Sequence, residues 1–331
     1  MLGCTSVDQY GHEQAPHVLK IGPRDEIARE RTAFEKVEHI LGNNAPRVTD
    51  FADFQDRGAI KYRYASMDGG KVKTLQSMYM DGVEFNKIQQ SLDDIFTKQL
   101  GKFYRAAQIE PIKLLEYYEF SPKWAGSVER KAKALSHSYS DTEIEILPEL
   151  KAPNVVNFYS GFLQDLKEEP QDIPVAFLHG DLNGANALID TKENVWLLDF
   201  FHTHRGHVIK DLVKLENDLL YIFTPLESEQ DLIEACKISD WMSQIDSIKS
   251  EPILDNYSKK FHRTLKTLKL LRSYMVEYLQ GNHCPKQLFI AQLRYAIHTT
   301  GFEECSYLQK KWALYTGCKL AERITTQETR D

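Results

Sequence analysis

The spacing of apolar residues changes character along the chain. Before residue 70 the apolar runs are short. His17–Ile21 reads as a strand stopped by Gly22-Pro23, and Arg47–Phe54 and Ala59–Ser66 read as two more, divided by the turn signal Asp56-Arg57-Gly58. Between the first and second of these, Asp25–Leu41 turns Ile27, Phe34, Val37, Ile40 and Leu41 toward one face at helical spacing. From Leu75 onward the period is that of helices, in Val83–Ala107, Pro153–Leu166, Leu232–Gln244, Gln287–Thr299 and Cys305–Thr325. Ser228–Asp231 (Ser-Glu-Gln-Asp) is a capping signal ahead of the third of them. Pro111–Leu150 is rich in Tyr, Lys and Glu and shows no clear repeat.

One stretch inside the helical part breaks the pattern. Val175–His179 is an apolar strand bounded upstream by Pro170 and Pro174, and it delivers Asp181 through the tight turn that Gly180 permits. Asn186 follows that aspartate at the spacing D-x-x-x-x-N. Ala187–Asp190 and Asn194–Phe201 then pair as a hairpin across Asp190-Thr191-Lys192-Glu193-Asn194. The hairpin returns the chain to where it began, so Asp199 arrives beside Asn186 as a second oxygen donor. Magnesium favours such a set, one or two carboxylates completed by substrate phosphates. Upstream, Lys20 sits in the first strand and Glu30 and Glu35 on the helix behind it, a lysine-strand and acidic-helix pair that can hold phosphate.

These residues resemble the phosphotransferase enzyme family that includes aminoglycoside phosphotransferases and choline kinases, and more closely its bacterial ternary-complex-associated domain subgroup. The resemblance is carried by Val175–Glu216, with weaker similarity from Val18 to Tyr79. It implies an α+β, protein-kinase-like two-lobe fold: a small β-rich lobe over residues 1–70 and a large helical lobe over 71–331 that holds the catalytic loop and the metal-binding hairpin. It implies a Mg2+- and ATP-dependent transfer to a hydroxyl of a small molecule. Asp181 is then the catalytic base, Asn186 and Asp199 are the metal ligands, and Lys20 is the phosphate-binding cation. Glu30 is its partner, ahead of Glu35, and Asp211 braces the catalytic loop, while by local pattern it also reads as a helix N-cap. Asp68-Gly69-Gly70 is the hinge candidate. Gly180 stands where regulated protein kinases carry Arg, Phe201 replaces the Gly of D-F-G, and no A-P-E follows, all of which favours the small-molecule branch. Another departure weakens the nucleotide lobe. Only Gly3 and Gly11 are available for the glycine turn expected before Lys20, so the first strand and its loop read as truncated or degenerate. That motivates an alternative, a catalytically weak or inactive kinase-fold module that senses nucleotide or binds a protein partner in a bacterial signalling or defence assembly.

Composition narrows the field. Lys+Arg 41 against Asp+Glu 48 gives a net charge of −7, which offers no general attraction to nucleic acid or to an anionic membrane. No apolar run reaches the length of a membrane span and the first residues lack a signal-peptide pattern, so a cytoplasmic location is expected. Cys4, Cys236, Cys284, Cys305 and Cys318 form no C-x-x-C pair and read as reduced structural thiols. The histidines of His202–His207 lack a fourth ligand, and that segment reads as a polar loop rather than a zinc site.

Overall fold

Strand His17–Pro23 (β2) runs into helix Arg24–Leu41 (α1) with no connecting loop, the backbone N–H of Arg24 donating to the carbonyl of Asp56 at 2.9 Å. Strands Arg47–Phe54 (β3) and Arg57–Arg63 (β4) follow, and with Leu2–Cys4 (β1) they make a four-stranded antiparallel sheet in the order β1-β2-β4-β3. The computed structural model describes residues 2–4, 7, 9–12, 17–41, 47–63, 72–148 and 150–328. The hinge candidate Asp68-Gly69-Gly70 lies outside them. Contacts gather the chain into two units, Met1–Ala107 with Val175–Asp211, and Gln108–Pro174 with Leu212–Asp331.

In the first unit Ile27 of α1 packs on Ile60 and Tyr62 of β4, all buried, with Val48 of β3 against them. The β3–β4 turn does not fall where the glycine suggested. Phe54 pairs with Arg57, so the turn is Gln55-Asp56, with Gln55 at φ +54°. Gly58 is inside the strand for a different reason. A Cβ there would lie 2.9 Å from Cβ of Ile27, so only glycine lets α1 approach the sheet this closely. The first strand, read as truncated or degenerate, is the three-residue Leu2–Cys4, which pairs with His17–Leu19, and Gly11, at φ +85°, adjoins a turn at residues 9 and 10.

The remainder of this unit carries the loop and hairpin. Leu75–Met80, Phe85–Asp93 and Gly101–Arg105 are helical as the spacing predicted, but Asp94–Gln99 widens to a π-helix. From it Gln99 Nε2 donates to the carbonyl of Val195 at 2.9 Å, tying these helices to the hairpin. The hairpin forms with Ala187 opposite Leu197 and Ile189 opposite Val195, and Lys73–Thr74 adds a third strand. Asp190 organises the turn by accepting from the backbone of Lys192 and Asn194 and, at 3.1 Å, from the Trp196 indole. His204–His207, expected as a loop, is a strand antiparallel to Val175–Leu178. Among the described residues no three His, Cys, Asp or Glu side chains are grouped to hold a metal.

The second unit is mainly helical around Trp312, which is fully buried and meets Tyr221 edge-on at 5.0 Å. Ser228 opens helix Glu229–Gln244 with the reciprocal capping box predicted, its hydroxyl accepting from Asp231 N at 3.1 Å. A three-stranded sheet, Ser138–Tyr139, Glu143–Leu147 and Leu150–Pro153, occupies the stretch in which no repeat was visible. Cys236, Cys284, Cys305 and Cys318 are free thiols, and burial pushes the Cys305 thiol up to about 11 and that of Cys318 to about 12, away from nucleophilic use. No helix among the described residues is long and apolar enough to cross a membrane.

Candidate functional site

The first unit contains all five residues singled out for chemistry, and hydrogen bonds link them. Lys20 points from β2 so that its ammonium lies 2.7 Å from Glu30 Oε2 and 2.9 Å from Asp199 Oδ1. Glu30 is almost wholly buried, and its other oxygen accepts from the Tyr62 hydroxyl. Glu35, the second choice, is instead an exposed partner of Arg31 at 2.9 Å. Asp199 is held in place through the neighbouring backbone, because Leu198 N donates to the carbonyl of Asn186 at 2.8 Å. The Asn186 amide Nδ2 in turn donates to the carbonyl of Asp181 at 2.9 Å. Its Oδ1, and Oδ2 of Asp199, accept no hydrogen bond among the described residues.

Asp199 adopts a left-handed backbone, φ +61° and ψ +66°, a conformation that Asp tolerates better than most residues. Phe200 behind it is buried and bridges Phe34 of α1 (5.4 Å) to the ring of His179 (4.7 Å), whose Nε2 contacts the Leu198 carbonyl at 2.7 Å. The loop around Asp181 is shaped by Asn183, whose Oδ1 accepts from Ala185 N and Asn186 N, each at 3.0 Å. Asp211 does not cap its own helix as the local pattern suggested. Its fully buried carboxylate reaches back and accepts from His179 N (2.8 Å), Gly180 N (2.8 Å) and the Tyr104 hydroxyl (2.7 Å).

Asn183, Tyr62 and Tyr104 are orienting residues that sequence reasoning missed. Asn183-Gly184 is a turn signal that was available, and Tyr62 alternates inward with Ile60; nothing in the sequence points to Tyr104.

Gly180 sits at φ +89°, and a Cβ there would fall 2.0 Å from the carbonyl oxygen of His202. A side chain cannot be accommodated without moving backbone, so Gly180→Ala is expected to destabilise the protein by about 3 kcal/mol. Urea unfolding reads this as a lowered midpoint, and an unchanged midpoint would refute the close approach.

Burial by itself would lower the Lys20 pKa, but hydrogen bonds and charge from Glu30 and Asp199 outweigh it and hold the ammonium above its usual 10.5. Stability from this group is therefore complete below 10.5 and fades only as pH rises through the higher folded value. The stability difference between the protein and Lys20→Ala should accordingly be flat from about pH 6 to 9 and shrink only at higher pH. A slope attributable to Lys20 inside that window would contradict the paired geometry.

The family model described as ternary complex associated domain 9 matches residues 1–141 and 130–300, most of the chain. The chain belongs to this family. No protein of established function matches by sequence. Among solved structures, a glucosamine kinase is similar over 95% of this chain and 73% of its own, at 9% identity and TM-score 0.46. A thermostable mutant of the aminoglycoside phosphotransferase APH(4)-Ia, in a ternary complex with ADP and hygromycin B, is 12% identical over 92% of this chain and 87% of its own, with TM-score 0.41. Amicoumacin kinase hAmiN, in complex with AMP-PNP, Ca2+ and Ami, is 12% identical over 98% and 84%, with TM-score 0.37. This member of the ternary complex associated domain 9 family has the α+β architecture expected of it, with the lysine strand, acidic helix, Asp181 loop and returning hairpin in their implied order.

Proposed function

We propose that the chain is a Mg2+- and ATP-dependent phosphotransferase acting on a hydroxyl of a small molecule. The observation that carries this reading is the Lys20 ammonium shared between Glu30 and Asp199, 10 and 179 positions away in sequence, with Asn186 tied to the same backbone. Asn186 Oδ1 and Asp199 Oδ2 are hard oxygen donors that make no hydrogen bond among the described residues, which fits a magnesium ion completed by phosphate oxygens. A magnesium ion bound there supplies neutralisation of phosphate charge. Lys20, kept protonated by its two carboxylates, binds the phosphates of the nucleotide, and Glu30 with Tyr62 keeps that lysine aimed. Asp181 orients the acceptor hydroxyl and takes up its proton, while Asp211 and Asn183 hold the loop that presents it.

The region after Asp199 supports a small acceptor. Strand His204–His207 is followed by only Val208 and Ile209, both fully buried, before helix Lys210–Tyr221 begins. That leaves no length for a phosphorylation-controlled segment. The reading assigns residues 1–70 to a small nucleotide-holding lobe and 71–331 to a large lobe, and a cytoplasmic setting, where ATP is supplied, goes with it.

The test begins with calorimetric titration of Mg-ATP. Asp199→Asn keeps a residue that tolerates the left-handed backbone and removes the charge. It is expected to weaken Mg-dependent nucleotide binding by about 100-fold. Unchanged affinity would overturn the assignment of Asp199. An ATP-turnover assay over a panel of hydroxyl compounds follows. Residues 5–16 contain a single glycine, Gly11, and this favours a second reading, a nucleotide-sensing or partner-binding module. Mg-ATP binding without turnover on any acceptor would select it.

A further inference from the structure

The second unit contains a cavity of about 220 Å³ that the phosphotransfer reading does not use. Its wall brings together three basic side chains, Lys131, Arg294 and His298, and three aromatic ones, Phe120, Trp124 and Tyr159. The ammonium of Lys131 has no hydrogen-bond or ion-pair partner among the described residues, although it is half-buried. It lies over Gly301, where a Cβ would sit 3.0 Å from Nζ. Arg294 meets one carboxylate, Glu119 at 3.3 Å, and that side chain is 78% exposed, so it is a solvent-screened arm rather than a buried counter-ion. The hydroxyl of Tyr159, a residue 97% buried by its 3% exposure, likewise makes no hydrogen bond among the described residues and lines the same space.

Grouping like charges around a partly dry cavity whose only lining carboxylate is the exposed Glu119 is unfavourable, and a fold has no packing reason to retain it. Lys131 and His298 both register the crowding. Burial lowers the Lys131 pKa, with the Arg294 charge adding to it, and burial together with Arg294, Lys131 and Lys214 takes His298 down to about 4. An anion entering the cavity relieves all of these at once, and it finds a guanidinium fork, an ammonium and a phenol as donors. Trp124, 47% exposed, also lines a neighbouring cavity of about 430 Å³ together with Phe120 and Glu119, so an apolar body attached to the anion has an aromatic surface to lie on.

We propose that this cavity binds a small organic anion, a carboxylate or phosphate monoester carrying an aromatic ring, with Lys131 and Arg294 holding the anionic head and Phe120 and Trp124 the ring. The site belongs wholly to the second unit and does not depend on the roles given to Lys20, Asp181, Asn186 and Asp199.

The experiment is calorimetric titration of the full chain, without nucleotide, using phenyl phosphate, benzoate and inorganic phosphate as probes. At least one aromatic anion is expected to bind at a single site with a Kd below about 1 mM, and inorganic phosphate at least about tenfold more weakly. Lys131→Met and Arg294→Gln should each weaken the aromatic anion about tenfold or more. Because Lys131 has no partner to lose, Lys131→Met should fold with an equal or higher Tm, which keeps the binding result interpretable. Asp199→Asn should leave this affinity unchanged. Failure of both aromatic anions to bind, or binding indifferent to both substitutions, would overturn the proposal. So would loss of binding in Asp199→Asn, since the probe would then be occupying the Lys20 site. Inorganic phosphate binding as tightly as phenyl phosphate would remove the aromatic half.

Discussion

An Asp181→Asn variant is expected to lose phosphoryl transfer by about 10³-fold while keeping Mg-ATP affinity within about threefold of the unaltered protein. The substitution is close to isosteric. It takes away a proton acceptor but leaves the carbonyl of residue 181 to hold Asn186 at 2.9 Å. Among the described residues the carboxylate itself has only a long contact, Asn183 Nδ2 at 3.4 Å from Oδ2, so little orientation is lost with it. Lys20 pairs with Glu30 and Asp199, and no contact of the three to this side chain is seen among the described residues, so the group proposed to hold nucleotide stays intact. Single-turnover kinetics beside calorimetry separate the alternatives. Activity within tenfold of the original would remove Asp181 as the base, and a collapse of nucleotide affinity would make it a metal ligand instead.

Replacing Asp211 with Ala should lower folding stability by about 4 kcal/mol, since two buried donors and one half-buried donor lose their acceptor together and each unsatisfied buried group costs about 1–3 kcal/mol. The donors are His179 N, Gly180 N and the Tyr104 hydroxyl. Alanine is the better helix former in the first turn of Lys210–Tyr221, but that offsets only about half a kcal/mol. Tyr104→Phe removes one donor cleanly and should cost about 1 kcal/mol. Urea denaturation of the two variants measures both. If Asp211→Ala costs no more than Tyr104→Phe, the contacts to the loop amides contribute nothing. Among the described residues Asp211 touches the loop backbone and Tyr104, so any effect of it on Asp181 would pass through them.

The site was legible wherever its residues lie close in sequence or follow a repeat. The strand-then-helix order set Lys20 beside an acidic helix and the family resemblance chose Glu30 on it, and the spacing from Asp181 to Asn186 and the hairpin to Asp199 survive in the contacts seen. What escaped has a common cause in distance along the chain. By local pattern Asp211 looked like a cap, because a carboxylate at the start of a helix ordinarily serves one, and only the family resemblance gave it a bracing role; its partners are 31, 32 and 107 positions away. His204–His207 looked like a loop because its side chains are polar, whereas its pairing with Val175–Leu178 uses backbone groups that carry no sequence signature. The sheet at 138–153 was different, for the alternation Glu143-Ile144-Glu145-Ile146 was there to be seen and was masked by the surrounding charge. Gly58 was noticed and misread: its meaning lay in a helix it had yet to meet, not in the turn beside it.

That glycine bears on how the protein meets its ligand. With Ile27 seated against the bare backbone of residue 58, α1 and β4 interlock, and neither can slide without the other. The carboxylate on the helix and the ammonium on the adjoining strand are consequently set at their working separation before anything arrives. Under the proposed phosphotransferase reading, capture of a polyphosphate requires no ordering of this pair, and the entropy that a looser arrangement would forfeit on each encounter has already been surrendered during folding.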